Sequence, residues 1–380
     1  MNYSPKMRSQ QGVALLTILL LVVAITIVAG SMLARQRVMV REYAATQRQG
    51  QAQQAVLAGE AIAREIILQD SLANQADSLQ EAWAKPLPQY PITGGSLSLR
   101  ISDEASRFNI NNLYHDGNVD NQALAYFRAL LQAQGIEPEI AMAVLDWQDP
   151  DSDTMPEGGA ESDYYQSLGR ALPMPIANQP FISIDELLSV RGMDKQKLDK
   201  LRPLISVVPF FMPMNVNTVN PTLLAIIPSV TDLPATAIAG QGNNLASAPI
   251  NTNNPDNTTS LLEPSALASW AAARPTAMPI ESVPNLWGQP AFASVPEAQR
   301  GKVAGLLDVQ SRAFRVVVTV TLDDSQRFFT SQLAKMDARI DPANAETGAN
   351  PGLNSTNTSI QAPRVVAFNR QFLAMAPDIN

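Results

Sequence analysis

The chain of 380 residues has no cysteine and a single histidine. The first absence excludes a disulfide framework, a thiolate metal site and a cysteine nucleophile. It does not identify the compartment, although it is compatible with a bacterial periplasm. The second absence excludes a multi-histidine metal site. It leaves His115 as one base for a serine or threonine triad, but His115 stands beside Asp116 and Gly117 and reads as a loop residue. Basic charge is also scarce: 27 Lys and Arg against 35 Asp and Glu give a net charge of −8 and a pI near 4.8. Nucleic-acid phosphates need a basic footprint, so this balance argues against such a partner. With 46% hydrophobic residues the chain can bury a substantial core, in two domains by length.

Charge is missing altogether from Val13 to Ala34, where Thr17, Thr26, Gly30 and Ser31 are the only interruptions of an apolar run. About 21 residues rising 1.5 Å each reach roughly 30 Å, the thickness of a bilayer core. A short leader carrying Lys6 and Arg8 ends in Gly12, directly ahead of the run. Secretory signals place small residues behind a shorter apolar region, so that cutting discards it. Cutting between Gly12 and Val13 would instead retain the apolar segment as the mature N-terminus. This order of parts resembles the prepilin-type leader of type IV pilins and pseudopilins, with an uncut signal anchor as the alternative. Arg35, Arg37 and Arg41 follow the helix while Lys6 and Arg8 precede it, so charge does not set its orientation.

Beyond the apolar run no helix breaker intervenes. Ala52, Ala55, Val56, Ala58, Ile62, Ile66 and Ile67 recur at amphipathic spacing, which predicts one helix of about 55 residues, half in lipid and half on a globular head. Residues 70–91 read as loop. Thr93-Gly94-Gly95 then introduces an alternating strand, Leu97 to Ile101. Residues 103–310 are mainly helical by pattern. Asn121 to Gln134 places Leu124, Phe127, Leu130 and Leu131 on one face, and Glu139 to Trp147 forms a further helix. A weak echo links Phe108-Asn-Ile-Asn-Asn-Leu113 with Asn215-Val-Asn-Thr-Val-Asn220, each preceding a helix that Asn or Thr could cap. Residues 240–296, rich in Asn, Pro, Ala and Ser, read as a long surface excursion with short helices. Ser311 to Leu322, Arg327 to Ala338 and Arg364 to Arg370 have strand character, with a loop over 341–362.

Ser183-Ile-Asp-Glu186 has capping-box spacing. The helix it opens ends at Gly192, and a second helix runs from Asp194 to Pro203. The pair resembles a helix-hairpin-helix with Arg191, Lys195, Lys197, Lys200 and Arg202 nearby. DNA binding through hairpin amides is one reading. A packing module with a solvated basic face is the other, favoured by the acidic charge and the anchor.

The densest chemistry is an acidic loop holding Asp146, Asp149, Asp151, Asp153, Glu157, Glu161 and Asp163 without an intervening Lys or Arg. Crowded carboxylates raise one another's pKa unless a cation neutralises them. Hard oxygen ligands at alternating positions suit calcium. Asp149, Asp151 and Asp153 have the spacing of an EF-hand start, but Thr154 occupies the glycine position and Ala160 the twelfth, so the loop is no EF-hand. A non-standard calcium site and a solvated acidic loop both remain open. A paired-carboxylate glycosidase has no sugar-binding feature to support it.

The leader and helix, the Phe108-Asn-Ile-Asn segment, Asp146-Trp147 with Asp149 to Asp153, the hairpin unit, Asn215-Val-Asn-Thr218 and Ser311-x-x-Phe314 occur in one order. Together they resemble the K-type minor pseudopilins of type II secretion. The resemblance implies an α+β fold: a pilin-like long N-terminal helix and antiparallel sheet with a large inserted, mainly helical domain. It divides the chain into a leader (1–12), a transmembrane part (13–34), a periplasmic helix half and first sheet part (35–105), the insert (106–310) and closing strands (311–380). It further implies cutting by prepilin peptidase at Gly12–Val13, methylation, and a single-pass bacterial inner-membrane protein with its globular part in the periplasm. A tip position is implied, with I- and J-type partners, an H-type partner as a further candidate, the inner-membrane secretion platform and membrane lipid. Calcium would fall in the acidic loop.

These expectations describe assembly and not catalysis. Most pilins carry Glu at the fifth mature position, whose carboxylate neutralises a neighbour's amine in the membrane. This chain has Thr17 there. A carboxylate in lipid costs about 2.5–3.5 kcal/mol unless paired, so a subunit with nothing ahead of it can dispense with one. The alternative is that Thr17 is simply a tolerated helix residue. A membrane-anchored DNA-uptake protein and an anchored hydrolase are the competing functions.

Overall fold

A computed structural model describes residues 11–168, 178–230, 262–323, 325–336 and 363–373. Residues 1–10 of the expected 1–12 leader, the expected loop at 341–362 and the 240–261 part of the expected excursion lie outside them.

The predicted spine is one continuous helix, α1 (Gln11–Ala73), longer than expected at 63 residues, or roughly 95 Å at 1.5 Å each. Its N-terminal end is long and apolar enough to cross a bilayer, and none of that stretch is buried against protein. Its C-terminal half changes character. Ala52, Ala55, Val56, Ala63 and Ile67 are buried, and Gly59 brings the backbone so close that a Cβ there would meet Leu99 Cδ2 at 2.9 Å. Ala58, expected on this stripe, is exposed, while Glu60 is buried. Arg370 binds the Glu60 carboxylate through Nε and Nη2 at 2.8 and 2.6 Å, and Ser331 Oγ donates to it at 3.0 Å. Burial pushes the Glu60 pKa up, but Arg370, Ser331 and Arg64 outweigh it and hold the carboxyl below its ordinary value.

The long strands form one antiparallel sheet against α1. β1 (Tyr90–Ile92) and β2 (Gly95–Asp103) form a hairpin, and the last three strands, described below, complete the sheet. Between Asp103 and Ala313 lies the helical domain. It starts with β3 (Phe108–Asn109), the small hairpin β4 (Tyr114–His115) and β5 (Asn118–Val119), then α2 (Asn121–Ala133), α3 (Ile140–Asp146) and α4 (Ser162–Ser167). A 3-10 turn at Ile184–Ser189, α5 (Lys195–Leu201) and β6 (Ile205–Ser206) follow. Then come β7 (Met214–Asn215), α6 (Pro221–Ala225), α7 (Pro264–Ala273), α8 (Val283–Leu286), α9 (Glu297–Val303) and β8 (Leu307–Asp308). β9 (Ala313–Leu322), β10 (Ser325–Met336) and β11 (Arg364–Leu373) return to the sheet, giving the order β1-β2-β9-β10-β11.

β2 and β9, more than 200 residues apart in sequence, are direct neighbours from Gly95↔Leu322 to Asp103↔Phe314. The helical domain therefore leaves and re-enters the sheet at one end of one strand pair. It has its own core, including Leu124, Phe127, Leu130, Leu145, Leu224 and Phe292, separate from the helix–sheet core of Val56, Leu97, Val318 and Phe329. The described 262–296 portion is not a surface excursion: Leu262, Leu267, Leu286, Phe292 and Val295 are buried in the domain core. Its Pro and Ala content marked short helices, but the spaced apolar residues decide their burial.

The asparagine echo has a structural counterpart. Asn109 Oδ1 accepts from the Asn111 amide, and Asn215 Oδ1 accepts from the Asn217 amide. Asn111 then clasps the backbone of Phe181 through its N–H and C=O, and Asn217 clasps Ile280 in the same way. Each unit also closes a parallel two-residue bridge, β3 with β6 and β7 with β8. The Asn residues do not all cap the following α-helices as expected. Asp120 caps α2, whereas Asn220 does cap α6.

Candidate functional site

The acidic loop begins where α3 ends. Asp146, in the last turn, has both carboxylate oxygens directed into the loop: Oδ2 accepts from the Ala160 amide at 2.7 Å and from the Met155 amide at 3.1 Å. These bonds fold the loop back over the helix end. They require a near-absent side chain at Gly159, where a Cβ would lie 2.3 Å from Met155 O and 2.5 Å from Asp146 Oδ2. Gly158 adopts φ +120°, a backbone region open chiefly to glycine.

Of the seven expected ligands, the fold gathers three. Carboxylate oxygens of Asp146, Asp149 and Glu161 lie within 4.8 Å of one another, and all three residues are buried. Asp149 Oδ1 and both Glu161 oxygens are shut from solvent without a hydrogen-bond donor. Asp151, Asp153, Glu157 and Asp163 are exposed and do not join the trio. Asp151 instead caps its own turn by accepting from the Asp153 amide at 2.8 Å, and Asp163 sits in the first turn of α4. The alternating spacing of Asp149, Asp151 and Asp153 is a turn signature here, and the third converging group, Glu161, comes from the far side of the loop.

The electrostatics follow from this crowding. Burial, then the charges of Asp151, Asp146 and Glu161, push Asp149 up to about 7. Burial and Asp146 raise Glu161 to about 7, tempered by the nearby Ser162 amide. Burial raises Asp146 to about 6 against the two amides that favour its charge. A buried anion without a counter-cation is costly. Unsatisfied hard oxygens around one point are what a divalent cation such as calcium would use. Asp149 and Glu161 have oxygens free for it, whereas Asp146 combines a loop-folding role with proximity.

A second carboxylate group, Asp70, Asp77 and Glu81, lies at the C-terminal end of α1. Burial with Glu81 and Asp77 raises Asp70 to about 8. Here a cation is already present, because Lys335 Nζ binds both Asp77 oxygens at 3.0 and 3.1 Å. Spacing gave no hint of this cluster, since Lys335 comes from β10.

The hairpin unit is built as the sequence indicates, with one change. The capping box of Ser183 and Glu186 is formed, but it opens a 3-10 turn and not an α-helix. Gly192 turns at φ +80° into α5, capped by Asp194. Its basic residues are all engaged. Lys195 pairs with Asp199, Lys197 with Glu137 and the Gly192 carbonyl, Lys200 with the Gln134 carbonyl, and Arg202 with Asp185. Arg191 Nη1 donates to Gly159 O at 2.8 Å, its guanidinium covers the Tyr164 ring, and its amide donates to Tyr165 Oη. Arg191, Lys197 and Lys200 thus fasten the hairpin to the acidic loop and to the turn after α2, while Lys195 and Arg202 pair within the hairpin unit on its exposed surface.

At the other end of the chain Thr17 Oγ1 donates to Ala14 O at 2.9 Å, so its hydroxyl is satisfied within α1. Gly12 and Val13 lie in the first turn of the same helix.

A spine helix half bare and half packed on an antiparallel sheet, with a helical domain inserted between two paired strands, defines a pilin-like α+β protein with an added domain. The family model described as type II secretion system (T2SS), protein K, matches residues 106–210. The type II secretion system protein K of Pseudomonas aeruginosa is 34% identical over 229 residues, covering 57% of this chain and 68% of that protein. The chain belongs to the type II secretion system protein K family. The Aeromonas hydrophila member is 30% identical over 238 residues, covering 59% of this chain and 71% of that one. A chain of the GspK-GspI-GspJ complex from enterotoxigenic Escherichia coli shares the fold, with a TM-score of 0.62 at 19% identity over 87% of this chain and 99% of that one.

Proposed function

We propose that this protein is a minor pseudopilin at the tip of the pseudopilus. There it joins I- and J-type subunits, with an H-type subunit as a further neighbour, to start assembly on the inner-membrane platform and support export of folded proteins. The observation that carries this reading is α1 itself: a bare apolar half at Val13–Leu33 continuous with a half packed on the head. Such a helix can remain in the inner membrane and later be drawn into a helical array, with the head in the periplasm.

In this reading prepilin peptidase cuts between Gly12 and Val13, and the new amine is methylated. Thr17 supports the tip position, because a hydroxyl bonded to Ala14 O offers no carboxylate to a subunit ahead. Calcium held by Asp149 and Glu161, beside Asp146, would neutralise the loop and lock the fold that Asp146 begins. The protein acts by assembly, without catalysis and without nucleic acid. N-terminal sequencing of the membrane-extracted protein tests the central step. It should begin at Val13 in cells with prepilin peptidase and at Met1 without it, and Gly12→Leu should block both maturation and secretion. A mature N-terminus elsewhere would refute this reading.

A further inference from the structure

Opposite charges three or four residues apart on a helix are neighbours, and Arg64 pairs with Glu60 in this way along α1. The stretch just past the apolar run does not. Residues 35–48 hold four arginines, Arg35, Arg37, Arg41 and Arg48, against one acid, Glu42, in a chain whose net charge is −8. Arg48 reaches Asp323 at 3.8 Å. Arg35, Arg37 and Arg41 are exposed and pair with no carboxylate among the described residues. Arg37 and Arg41 stand four apart on one face of α1. Arg35 lies about 200° around the helix from Arg37, so the three guanidiniums surround it.

The residues between them are apolar and bare. Val38, Met39 and Val40 are exposed, and Tyr43 is 72% exposed. Arginine interleaved with uncovered aliphatic side chains and a tyrosine is the composition of a helix at a bilayer surface. Depth agrees with it. The uncharged span ends at Ala34, and Arg41 follows seven residues later, about 10 Å along the axis. The headgroup layer on each side of the hydrocarbon is about 5–7 Å thick. Helical side chains lean toward the helix N-terminus, here toward the bilayer, and long arginine stems carry the charge to the interface. All three guanidiniums therefore come within reach of lipid phosphates, whose oxygens match their paired N–H donors. In the orientation proposed above they lie on the side where basic residues around membrane helices are sparse, so orientation does not account for them.

We propose that Arg35, Arg37 and Arg41, with Tyr43 beside them, bind the phosphates of anionic phospholipids in the leaflet from which the head emerges, fixing the depth of α1. The inference rests on α1 spanning a bilayer and turns a passive apolar anchor into one selective for lipid charge.

The test reconstitutes the full-length chain in phosphatidylcholine vesicles carrying a trace of spin-labelled phosphatidylglycerol or spin-labelled phosphatidylcholine. Electron spin resonance then reads how much of each label the protein immobilises. The phosphatidylglycerol label should be preferred, and the preference should fall at least about fivefold when Arg35→Gln, Arg37→Gln and Arg41→Gln are combined. It should also vanish at about 1 M salt, where the Debye length is about 3 Å. Equal immobilisation of the two labels by the wild type would overturn the proposal. So would a preference unchanged in the triple variant, which would leave the arginines to acids of a neighbouring subunit. An equal loss in Lys195→Gln, on the inserted domain, would show diffuse attraction by net charge and overturn it too. Alkaline extraction from phosphatidylcholine vesicles separates this site from the anchor. A chain released there does not span the bilayer, which refutes anchor and lipid site together, whereas a retained chain without lipid preference refutes the lipid site alone.

Discussion

Glu161 is 4% exposed, yet neither of its carboxylate oxygens has a donor, and Asp149 is 1% exposed with one oxygen in the same state. Burial and repulsion from neighbouring carboxylates raise both carboxyls to about 7, and they are the groups that the proposed calcium would use. Isothermal titration of the detergent-extracted protein with calcium should show binding that Asp149→Asn or Glu161→Gln weakens by at least about tenfold, a loss of about 1.4 kcal/mol or more. Asp151→Asn and Asp163→Asn should change it far less, because those side chains are exposed. Equal losses at all four positions would show diffuse attraction by an acidic loop and remove the site. Thr17 belongs to the same scale. Thr17→Glu places an unpaired carboxylate in lipid, at about 2.5–3.5 kcal/mol, if nothing stands ahead of it. Pulse-chase measurement should then show lower steady-state levels of the full chain; unchanged levels and secretion would indicate a partner amine ahead and exclude the tip.

At the scale of elements, the hairpin and the acidic loop are one mechanical unit. Arg191 joins them by donating to Gly159 O while its backbone holds Tyr165, whose ring packs edge-on against Trp147 at 5.5 Å. A hydrogen bond from a charged donor contributes about 1.5–3 kcal/mol. Arg191→Met keeps the apolar cover on Tyr164 but loses that bond. Calcium affinity should fall about tenfold, and the calcium-dependent change in tryptophan fluorescence should shrink. Unaltered affinity would show that Asp146 alone shapes the loop. The same wiring gives each of the five basic residues near the hairpin an acceptor within the domain.

Across the whole molecule, sheet and inserted domain meet at a buried polar junction. Asp103, at the end of β2, accepts from Ser311 Oγ at 2.5 Å, from Thr218 Oγ1 and from the Ala105 amide. Asn215 Nδ2 donates to Ser311 Oγ and to Asp77 O, and Asp77 Oδ2 accepts from the Ser311 amide. Burial raises Asp103 to about 7 despite these donors, with Asp77 adding to the rise. A carboxyl whose folded pKa exceeds its unfolded value stabilises the fold most below the unfolded value, near 4. That contribution is lost as pH rises through the folded value. With calcium saturating, denaturant melts of the wild type should therefore lose stability between about pH 4 and 7 relative to Asp103→Asn. A flat difference across that range would show that Asp103 is ionised throughout.

The spine, the strands and the helix faces were legible because each rests on local periodicity. The uncharged run from Val13 to Ala34 reads as a helix long and apolar enough to cross a membrane, Leu124 to Leu131 declare their face, and β-branched residues mark β9. The capping box at Ser183 and Glu186 was legible for the same reason, although its helix proved to be 3-10. The family was also legible as a resemblance, from the order of short motifs, and the relatives bear it out. Tertiary structure decided what depends on distant residues. Glu60 is buried because Arg370 and Ser331 reach it across the sheet. Three of seven acids converge because Asp146 draws the loop back over α3. Arg274 is brought between the Trp270 ring and the Val219 carbonyl by folding alone. Charge in a sequence can be counted, but whether it is paired depends on approach in space.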